Sequence, residues 1–147
     1  MNNSLRVAVG GDHAGFHFKE AIKKYLIEKG FLITDHGTHS ESSVDYPDYV
    51  HPLAEQIEKG DADLGVLVCG SGNGVCMTAN KHQGIRAALV WNNELAALAR
   101  KHNNANVICF SERFLKLESV LEMLEIFLHT SFEGGRHENR VNKISFN

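Results

Sequence analysis

Short apolar runs alternate with helix-like stretches along the whole chain. The first apolar run covers residues 5–9 and ends at two glycines, and residues 16–29 follow with apolar side chains three and four positions apart. The alternation continues with strands predicted over 31–34, 64–69, 85–91 and 106–110, and helices over 47–59, 75–81, 94–101 and 117–128. Strands that are apolar throughout and separated by helices require a parallel sheet covered on both faces. We therefore predict an open, doubly wound α/β domain with five parallel strands.

The length and the C-terminal tail define the predicted domain organisation. A chain of 147 residues fits one domain. Two glycines, Gly134 and Gly135, introduce a tail over 133–147 that has many charges and too few apolar residues for a core of its own. We predict one domain over 1–147, with a C-terminal helical arm over 133–147 that packs on a partner subunit.

Composition excludes several classes of partner. The chain has 18 acidic and 15 basic residues, for a net charge of −3, so it has no overall attraction to nucleic acid or anionic membranes. No apolar run approaches the ~20 residues of a membrane-spanning helix, and the first four residues lack the features of a signal peptide. Cys69, Cys76 and Cys109 are an odd number without a CxxC pair, which is typical of reduced thiols. We expect a cytoplasmic protein that binds neither nucleic acid nor membranes.

Ligands of open α/β sheets bind beyond the carboxyl ends of the strands. The first loop of this kind covers residues 10–16, GGDHAGF, and leaves helix amide donors free beside Asp12 and His13. It could hold an anion or a sugar hydroxyl. The alternative is that Asp12 is only a helix N-cap and the glycines only form a tight turn. His13 and His17 are four residues apart, but no third ligand is spaced to complete a metal site with them.

The second loop of this kind covers residues 68–76, VCGSGNGVC. It lacks the GK[ST] of a Walker A loop, and the third glycine of a dinucleotide fingerprint would fall at Val75. What remains is a nest of backbone N–H groups around Cys69, a geometry that suits an oxyanion formed next to an acid or base. The alternative for Cys69 is that it is only a small buried hydrophobic side chain. For Cys76 and Cys109, burial of this kind is our prediction.

Two further clusters carry histidine and arginine. His102 lies at a predicted helix end within residues 100–107, RKHNNANV, where it could act as a positioned acid–base group or simply as a cation beside the helix dipole. Arg136 and Arg140 are four residues apart with His137 alongside, so one helical face would present two guanidinium groups. Such a pair suits a phosphate dianion, and the alternative is a solvated, charged helix.

Taken together, the four clusters resemble the ribose-5-phosphate isomerase type B family, which also contains galactose- and allose-6-phosphate isomerases. The matching segments lie at 10–16, at 45–49 (DYPDY), at 69–74 (CGSGNG), at 79–81 (ANK), at 84–87 (GIRA), at 102–107 (HNNANV) and at 133–137 (EGGRH). The resemblance implies a Rossmann-like aldose–ketose isomerase that uses no metal or other cofactor. It also implies a homodimer or tetramer in which each active site is shared across a subunit boundary.

The resemblance also implies roles for individual residues. Cys69 corresponds to the thiolate base that removes the C2 proton of ribose 5-phosphate, and His102 to the group that opens the sugar ring. The residues that correspond to the anion hole for the enediolate oxygen are Gly70, Ser71, Gly72, Asn73 and Gly74. Those that correspond to contacts of the sugar are Asp12, Tyr46 and Asn103. Those that correspond to phosphate ligands are His13, Arg136 and Arg140, with Arg113 and His137 as further candidates.

Two alternatives stay open at this stage. A hexose-6-phosphate isomerase of the same family would use the same chemistry on a sugar one hydroxymethylene unit longer. Another branch of the family uses a glutamate after the glycine loop, whereas this chain has Cys69 and then Val75 and Cys76, which favours the thiol branch and the pentose reaction. A phospho-ligand binding module without catalysis could use the same arginines but would need neither Cys69 nor His102.

Overall fold

The computed structural model describes residues 5–146 and contains the predicted alternation of strands and helices. The strands are β1 Arg6–Gly11, β2 Leu32–Asp35, β3 Leu64–Cys69, β4 Ala87–Leu89 and β5 Val107–Ser111. The helices are α1 Phe16–Glu28, α2 Pro47–Glu58, α3 Asn73–Ala79, α4 Asn93–Lys101, α5 Leu117–His129 and α6 Arg136–Asn142, and a 3₁₀ turn, His13–Gly15, precedes α1. None of the helices within residues 5–146 combines the length and the apolar character that crossing a bilayer requires.

Two boundaries differ from the sequence prediction. Strand β4 is shorter than the predicted 85–91, because the N–H of Arg86 donates to the side chain of Asn106 at 2.8 Å instead of to a strand neighbour. Helix α3 starts two residues earlier than predicted, because Gly72 adopts a left-handed φ of 79° and turns the chain into the helix at Asn73. Both differences depend on local contacts that hydrophobic spacing does not report.

All five strands are parallel, in the order β2-β1-β3-β5-β4, which confirms the predicted doubly wound sheet. Helices α1, α4 and α5 contribute buried side chains to the core on one face, and α2 and α3 to the core on the other. Strand β3 is therefore buried at all six of its positions. The connections reverse direction between β1 and β3, and the crevice at such a point is where open α/β sheets bind ligands.

Two glycines allow the ends of β1 and β3 to approach each other at this crevice. A Cβ atom added to Gly11 or to Gly15 would stand 2.3 Å from the carbonyl oxygen of Val68. Any larger residue would force the two strand ends apart. The loop after β1, which carries Asp12, is thereby held directly beside the end of β3, which carries Cys69.

A buried ion cluster fixes the segment that follows β2. The ammonium of Lys19 is only 1% exposed and donates to Asp35 at 2.8 Å, and Lys23 donates to the same carboxylate at 2.9 Å. Burial opposes the ionisation of Asp35, but these bonds and the N–H of Gly37 lower its pKa to about 2. The carbonyl of Gly37 in turn accepts the N–H of Gly11 at 2.9 Å. The cluster thus holds the loop after β2 against the loop that carries Asp12.

The C-terminal arm turns away from α5 at the opposite edge of the sheet. The N–H of Glu133 donates to the carbonyl of Lys101 at 3.1 Å, which fixes the start of the arm beside the end of α4. Gly134 and Gly135 follow with φ values of 69° and 55° and reverse the chain into α6. Beyond α6, the hydroxyl of Ser145 donates to the carbonyl of Gln83 at 2.9 Å.

Candidate active site

The structure divides the predicted site residues between the two edges of the sheet. The carboxyl-edge group lies at the carboxyl ends of β1 and β3 and the segments that pack on them, and comprises Asp12, His13, Tyr46, Cys69, Gly70, Ser71, Gly72, Asn73, Gly74 and Arg113. The amino-edge group comprises His102, Asn103, Arg136, His137 and Arg140, which lie at the end of α4 and in the arm.

Cys69 is the last residue of β3, and its side chain receives a backbone hydrogen bond. The residue is 5% exposed, and the N–H of Gly72 donates to its Sγ at 3.1 Å. The left-handed conformation of Gly72 aims this amide at the sulfur, and a Cβ there would come within 2.6 Å of Leu89. A donor directed at sulfur stabilises negative charge on it. The local backbone therefore places an amide donor directly against the sulfur at the end of β3.

The glycine loop after Cys69 is fixed by the chain that leaves β5. The hydroxyl of Ser111 and the N–H of Arg113 both donate to the carbonyl of Gly70, at 2.6 and 3.1 Å. The guanidinium of Arg113 lies so close over the loop that a Cβ added to Gly70 would stand 3.1 Å from its Nη2. The hydroxyl of Ser71 accepts the N–H of Asn73 at 3.2 Å. This arrangement places a cation and several amide groups beside one another at the glycine loop.

Asp12 and His13 are held in defined orientations beside this loop. Asp12 is 7% exposed, and its Oδ1 accepts the N–H groups of Ala14 and Gly15 at 3.0 and 3.1 Å. Its side chain therefore caps the 3₁₀ turn that precedes α1. The hydrogen bonds that its carboxylate accepts within residues 5–146 all go to Oδ1, so Oδ2 is available as a further acceptor. The Nδ1 of His13 accepts the N–H of Val44 at 3.1 Å, so the neutral ring carries its proton on Nε2.

Tyr46 joins the carboxyl-edge group through a glycine of the loop. A Cβ on Gly74 would come within 2.6 Å of the Tyr46 ring, so the ring rests on the backbone of the loop with 37% of the residue exposed. His17 takes no part in this group. It forms an ion pair with Glu41, while the Nδ1 of His13 is occupied by backbone, so the two histidines do not converge as metal ligands.

In the amino-edge group, two histidines stack. The ring centroids of His102 and His137 are 4.1 Å apart with the planes inclined by 13°. The Nε2 of His102 lies 3.8 Å from a carboxylate oxygen of Glu133, and Arg136 donates to the Nε2 of His137 at 3.5 Å. Desolvation and then the charges of His102 and Arg136 lower the pKa of His137. The two rings therefore form a compact pair in which the ring of His137 favours its neutral form.

Three of the predicted phosphate ligands are exposed arginines. Among the ion pairs of residues 5–146, none involves Arg113, Arg136 or Arg140. Arg136 and Arg140 lie one turn apart on α6, and Asn103 is exposed beside His102 at the end of α4. Guanidinium groups without an acidic partner are available to bind an anion.

The two groups cannot meet within one chain. His102 precedes β5, whereas the last residue of β5, Ser111, pairs with Cys69. The five residues of β5 place the two edges about 13 Å apart, at about 3.3 Å per residue. No hydrogen bond or ion pair between described residues connects the groups, so within one chain they remain two separate clusters of candidate residues.

Sequence reasoning missed two contributors to this arrangement. Glu133 approaches His102, and its only sequence signal is its place in the segment 133–137. Lys19 anchors the loop beside Asp12, and its only sequence signal of burial is its spacing of three and seven residues from Ile22 and Leu26. Both depend on contacts between residues that are distant in sequence.

Comparisons with known proteins agree on one family. The family model described as Ribose/Galactose Isomerase matches residues 7–144. The probable ribose-5-phosphate isomerase B of Mycoplasma genitalium is 43% identical over 143 residues, which cover 96% of this chain and 94% of that protein. The crystal structure of a ribose 5-phosphate isomerase from Thermotoga maritima superposes with a TM-score of 0.94 at 46% identity, covering 96% of this chain and 97% of that one. A ribose-5-phosphate isomerase B structure from Mycoplasma genitalium with bound ribulose-5-phosphate has a TM-score of 0.91 at 43% identity, covering 96% of this chain and 94% of that one.

Proposed function

The chain belongs to the family of ribose and galactose isomerases and is an aldose–ketose isomerase, and from that premise we propose a reaction and a site for it. The reaction is the interconversion of ribose 5-phosphate and ribulose 5-phosphate through an enediolate, with Cys69 as the base. One observation carries this assignment. The sulfur of Cys69 lies at the carboxyl edge with the Gly72 amide donating to it, in the loop over which the guanidinium of Arg113 lies.

The central step is a proton transfer between two carbons. The thiolate of Cys69 removes the proton from C2 of the open-chain aldose, and the electron pair of the C–H bond moves to form the C1–C2 double bond. The carbonyl oxygen at C1 then carries the negative charge. A proton then passes from the C2 hydroxyl to the C1 oxygen, and return of the first proton to C1 with formation of the carbonyl at C2 gives the ketose. The amides of residues 70–74 and the side chains of Ser71 and Asn73 surround the developing oxyanion.

The remaining roles belong to groups at both edges. Ribose 5-phosphate is mainly a closed furanose, and His102 moves the proton that opens the ring. Asp12, Tyr46 and Asn103 position the hydroxyls. The phosphate binds to His13, Arg113, Arg136 and Arg140, with His137 beside them, and each charge-assisted contact contributes roughly 1.5–3 kcal/mol.

We propose that the complete site requires two copies of this chain. An isologous pair related by a two-fold axis would bring the amino-edge group of each copy to the carboxyl-edge group of the other. The exposed arginines of α6 and the separation of the two groups by the length of β5 support this proposal. In it the chain forms one domain over 1–147 whose arm completes the neighbour's pocket, in a homodimer or a tetramer of such pairs.

A cytoplasmic location fits this proposal. Cys69, Cys76 and Cys109 are all free thiols, as is typical of a reducing compartment. The thiolate of Cys69 in particular must stay reduced to accept a proton.

Proton exchange in deuterated water tests the proposed base. During turnover of ribose 5-phosphate, the enzyme should exchange the C2 proton with solvent, and Cys69→Ala should lose at least ~10²-fold in kcat/KM and lose the exchange. Cys76→Ala is the matched control, because its thiol is directed at the carbonyl of Ala87 at 3.5 Å and away from the glycine loop. Full turnover by the Cys69 variant would remove the proposed base.

The same assay separates the alternative functions. Ribose 5-phosphate, allose 6-phosphate and galactose 6-phosphate are compared side by side, and we expect the highest kcat/KM for the pentose. A preference for either hexose would replace the substrate and keep the mechanism. Binding of all three sugars without turnover would indicate a phospho-ligand binding module.

A further inference from the structure

His102, Glu133 and His137 each bring one potential donor atom close to those of the other two. These atoms all lie within 4.8 Å of one another. Two imidazoles and a carboxylate are a donor set that protein zinc sites use. We propose that the three residues bind a divalent transition-metal ion of the Zn²⁺ class, and that the bound ion inhibits the isomerase. Only the inhibition rests on the proposed function, whereas the binding site stands independently of it.

The backbone brings these donors together before any ion binds. The N–H of Glu133 donates to the carbonyl of Lys101 at 3.1 Å, which fixes the backbone of Glu133 next to the residue that precedes His102 and lets its carboxylate approach the imidazole to 3.8 Å. The N–H of His137 donates to the carbonyl of Gly134 at 3.0 Å, and this turn folds the arm back over the end of α4. The three donors therefore come from two segments that main-chain hydrogen bonds hold side by side.

Sharing one ion requires a small rearrangement of the rings. The lone pairs of two parallel imidazoles do not converge, and the planes of His102 and His137 are inclined by only 13°. One ring must rotate about its χ2 torsion, which breaks the stack. The side chain of His102 is 37% exposed and has room to turn, and His137 gives up only a 3.5 Å contact with Arg136.

A second histidine–glutamate cluster in the same chain shows why this one is suited to an ion. His51 and His82 contact each other through Nδ1 and Nε2 at 2.7 Å, and the Nδ1 of His82 contacts Glu58 at 2.8 Å. Both nitrogens of His82 are used, on opposite sides of the ring, so its neighbours cannot point at one centre. In the cluster of the arm, no such chain of hydrogen bonds occupies the nitrogens of His102 among the described residues.

The surrounding charges indicate reversible binding. Arg136 and Arg140 lie on the same short helix as His137, and Lys101 adjoins His102. These cations oppose a divalent ion, while Glu133 supplies one negative charge in its favour. The ion is therefore a regulator that binds and leaves, and it takes no part in the proposed proton transfers.

Inhibition follows from the role of His102. A nitrogen that coordinates an ion cannot accept or donate the ring proton of the furanose. The ion also occupies space beside Arg136, where the substrate phosphate binds in the proposed site. Metal binding and sugar-phosphate binding therefore exclude each other.

A Co²⁺ titration tests the binding site without reference to activity. We expect the visible absorption of bound Co²⁺ to saturate at one ion per chain and to be displaced by Zn²⁺. Glu133→Gln should weaken binding at least ~10-fold, and Glu133→His, which replaces one donor by another, should retain it. His17→Asn is the control, since it removes an exposed histidine that also pairs with a glutamate. Equal affinity in wild type and Glu133→Gln would overturn the site, as would loss of binding in His17→Asn.

Turnover measurements test the regulatory part. Wild type and His17→Asn should lose isomerase activity as Zn²⁺ occupancy rises and recover it fully with EDTA, while Glu133→Gln should need at least ~10-fold more Zn²⁺. Inhibition of Glu133→Gln at the wild-type Zn²⁺ concentration would assign the effect to another group, such as the thiol of Cys69. Absence of turnover even with EDTA would overturn the proposed function and leave the Co²⁺ result intact.

Discussion

The carboxyl-edge group and the amino-edge group carry similar residue types on very different supports. Cys69 and Asp12 are 5% and 7% exposed, and their loops are clamped by hydrogen bonds to the ends of neighbouring strands. Arg136 and Arg140 are exposed on a seven-residue helix that follows two left-handed glycines. The first group is built into the core, and the second is attached to it.

This difference matches the two demands of the proposed reaction. Proton abstraction at carbon depends on the position of the sulfur to within fractions of an ångström, which a packed core provides. Binding a phosphate depends mainly on charge, and long arginine side chains adjust to it. A helix at the surface is sufficient for that purpose, provided that a second copy of the chain supplies the rest of the site.

Mixing two inactive variants tests whether the two groups of one site come from different chains. Cys69→Ala and His102→Ala should each lose at least ~10²-fold in kcat, because each removes a group of the proposed chemistry. Refolded together in equal amounts, they should regain about a quarter of wild-type activity, since half of the pairs are mixed and each mixed pair has one complete site of two. Activity equal to the mean of the separate variants would place both residues in a site within one chain.

One substitution made in both regions should show their different rigidity. In Gly15→Ala the new Cβ would stand 2.3 Å from a backbone oxygen, and we expect the free energy of unfolding to fall by about 3 kcal/mol. In Gly134→Ala the Cβ meets nothing within 4 Å, and the cost is the left-handed conformation alone, about 1 kcal/mol. Urea unfolding followed by circular dichroism measures both. Equal losses of unfolding free energy in the two variants would contradict the difference in rigidity between the two groups.

Acid should weaken the support of the carboxyl-edge group through Asp35. Its folded-state pKa of about 2 lies below the unfolded value of 3.8, so its stabilisation is present above about pH 4 and is lost as the pH falls towards 2. The shift corresponds to about 2 kcal/mol. The difference in unfolding free energy between wild type and Asp35→Asn should therefore narrow by about that amount between about pH 6 and pH 2. A difference that stays constant with pH would exclude this role.

The smallest effect is expected for a substitution in the arm, measured as a change in KM. Arg136→Ala should raise KM ~10-fold and change kcat less, because it removes a phosphate contact and no group at the reacting carbons. Lys143→Ala, at the end of the same helix, is the matched control for loss of a surface cation. Steady-state kinetics with ribose 5-phosphate measure both, and an unchanged KM for Arg136→Ala would place the arm outside the substrate site.

Much of the fold could be predicted because its signals are local. Strand β3 is apolar at nearly every position, and it is buried at all six of its positions, as β5 is at all five. The meeting of the loops that carry Asp12 and Cys69 also followed from a general rule of parallel sheets. The truncation of β4 could not be predicted, because it depends on a hydrogen bond between Arg86 and Asn106 across a gap of 20 residues.

The side-chain geometry of the site was less accessible from sequence. Lys19 lies three and seven residues before the buried Ile22 and Leu26, so helical spacing places it on the buried face, whereas its charge predicts exposure. Its burial depends on the carboxylate of Asp35 on a different element. The stack of His102 on His137 depends on the turn at two glycines whose direction no local pattern specifies. The roles proposed for these residues rest on the resemblance to the family and not on any local sequence pattern.

The five-residue span of β5 has a kinetic consequence. Because it separates the thiol from the imidazole within each polypeptide, a solitary chain holds all the reagents of the proposed catalysis and can use none of them. In very dilute solution the rate would rise with roughly the square of protein concentration, since productive centres form only by encounter. A newly synthesised chain would stay idle until it met another, and that meeting would switch on two centres at once.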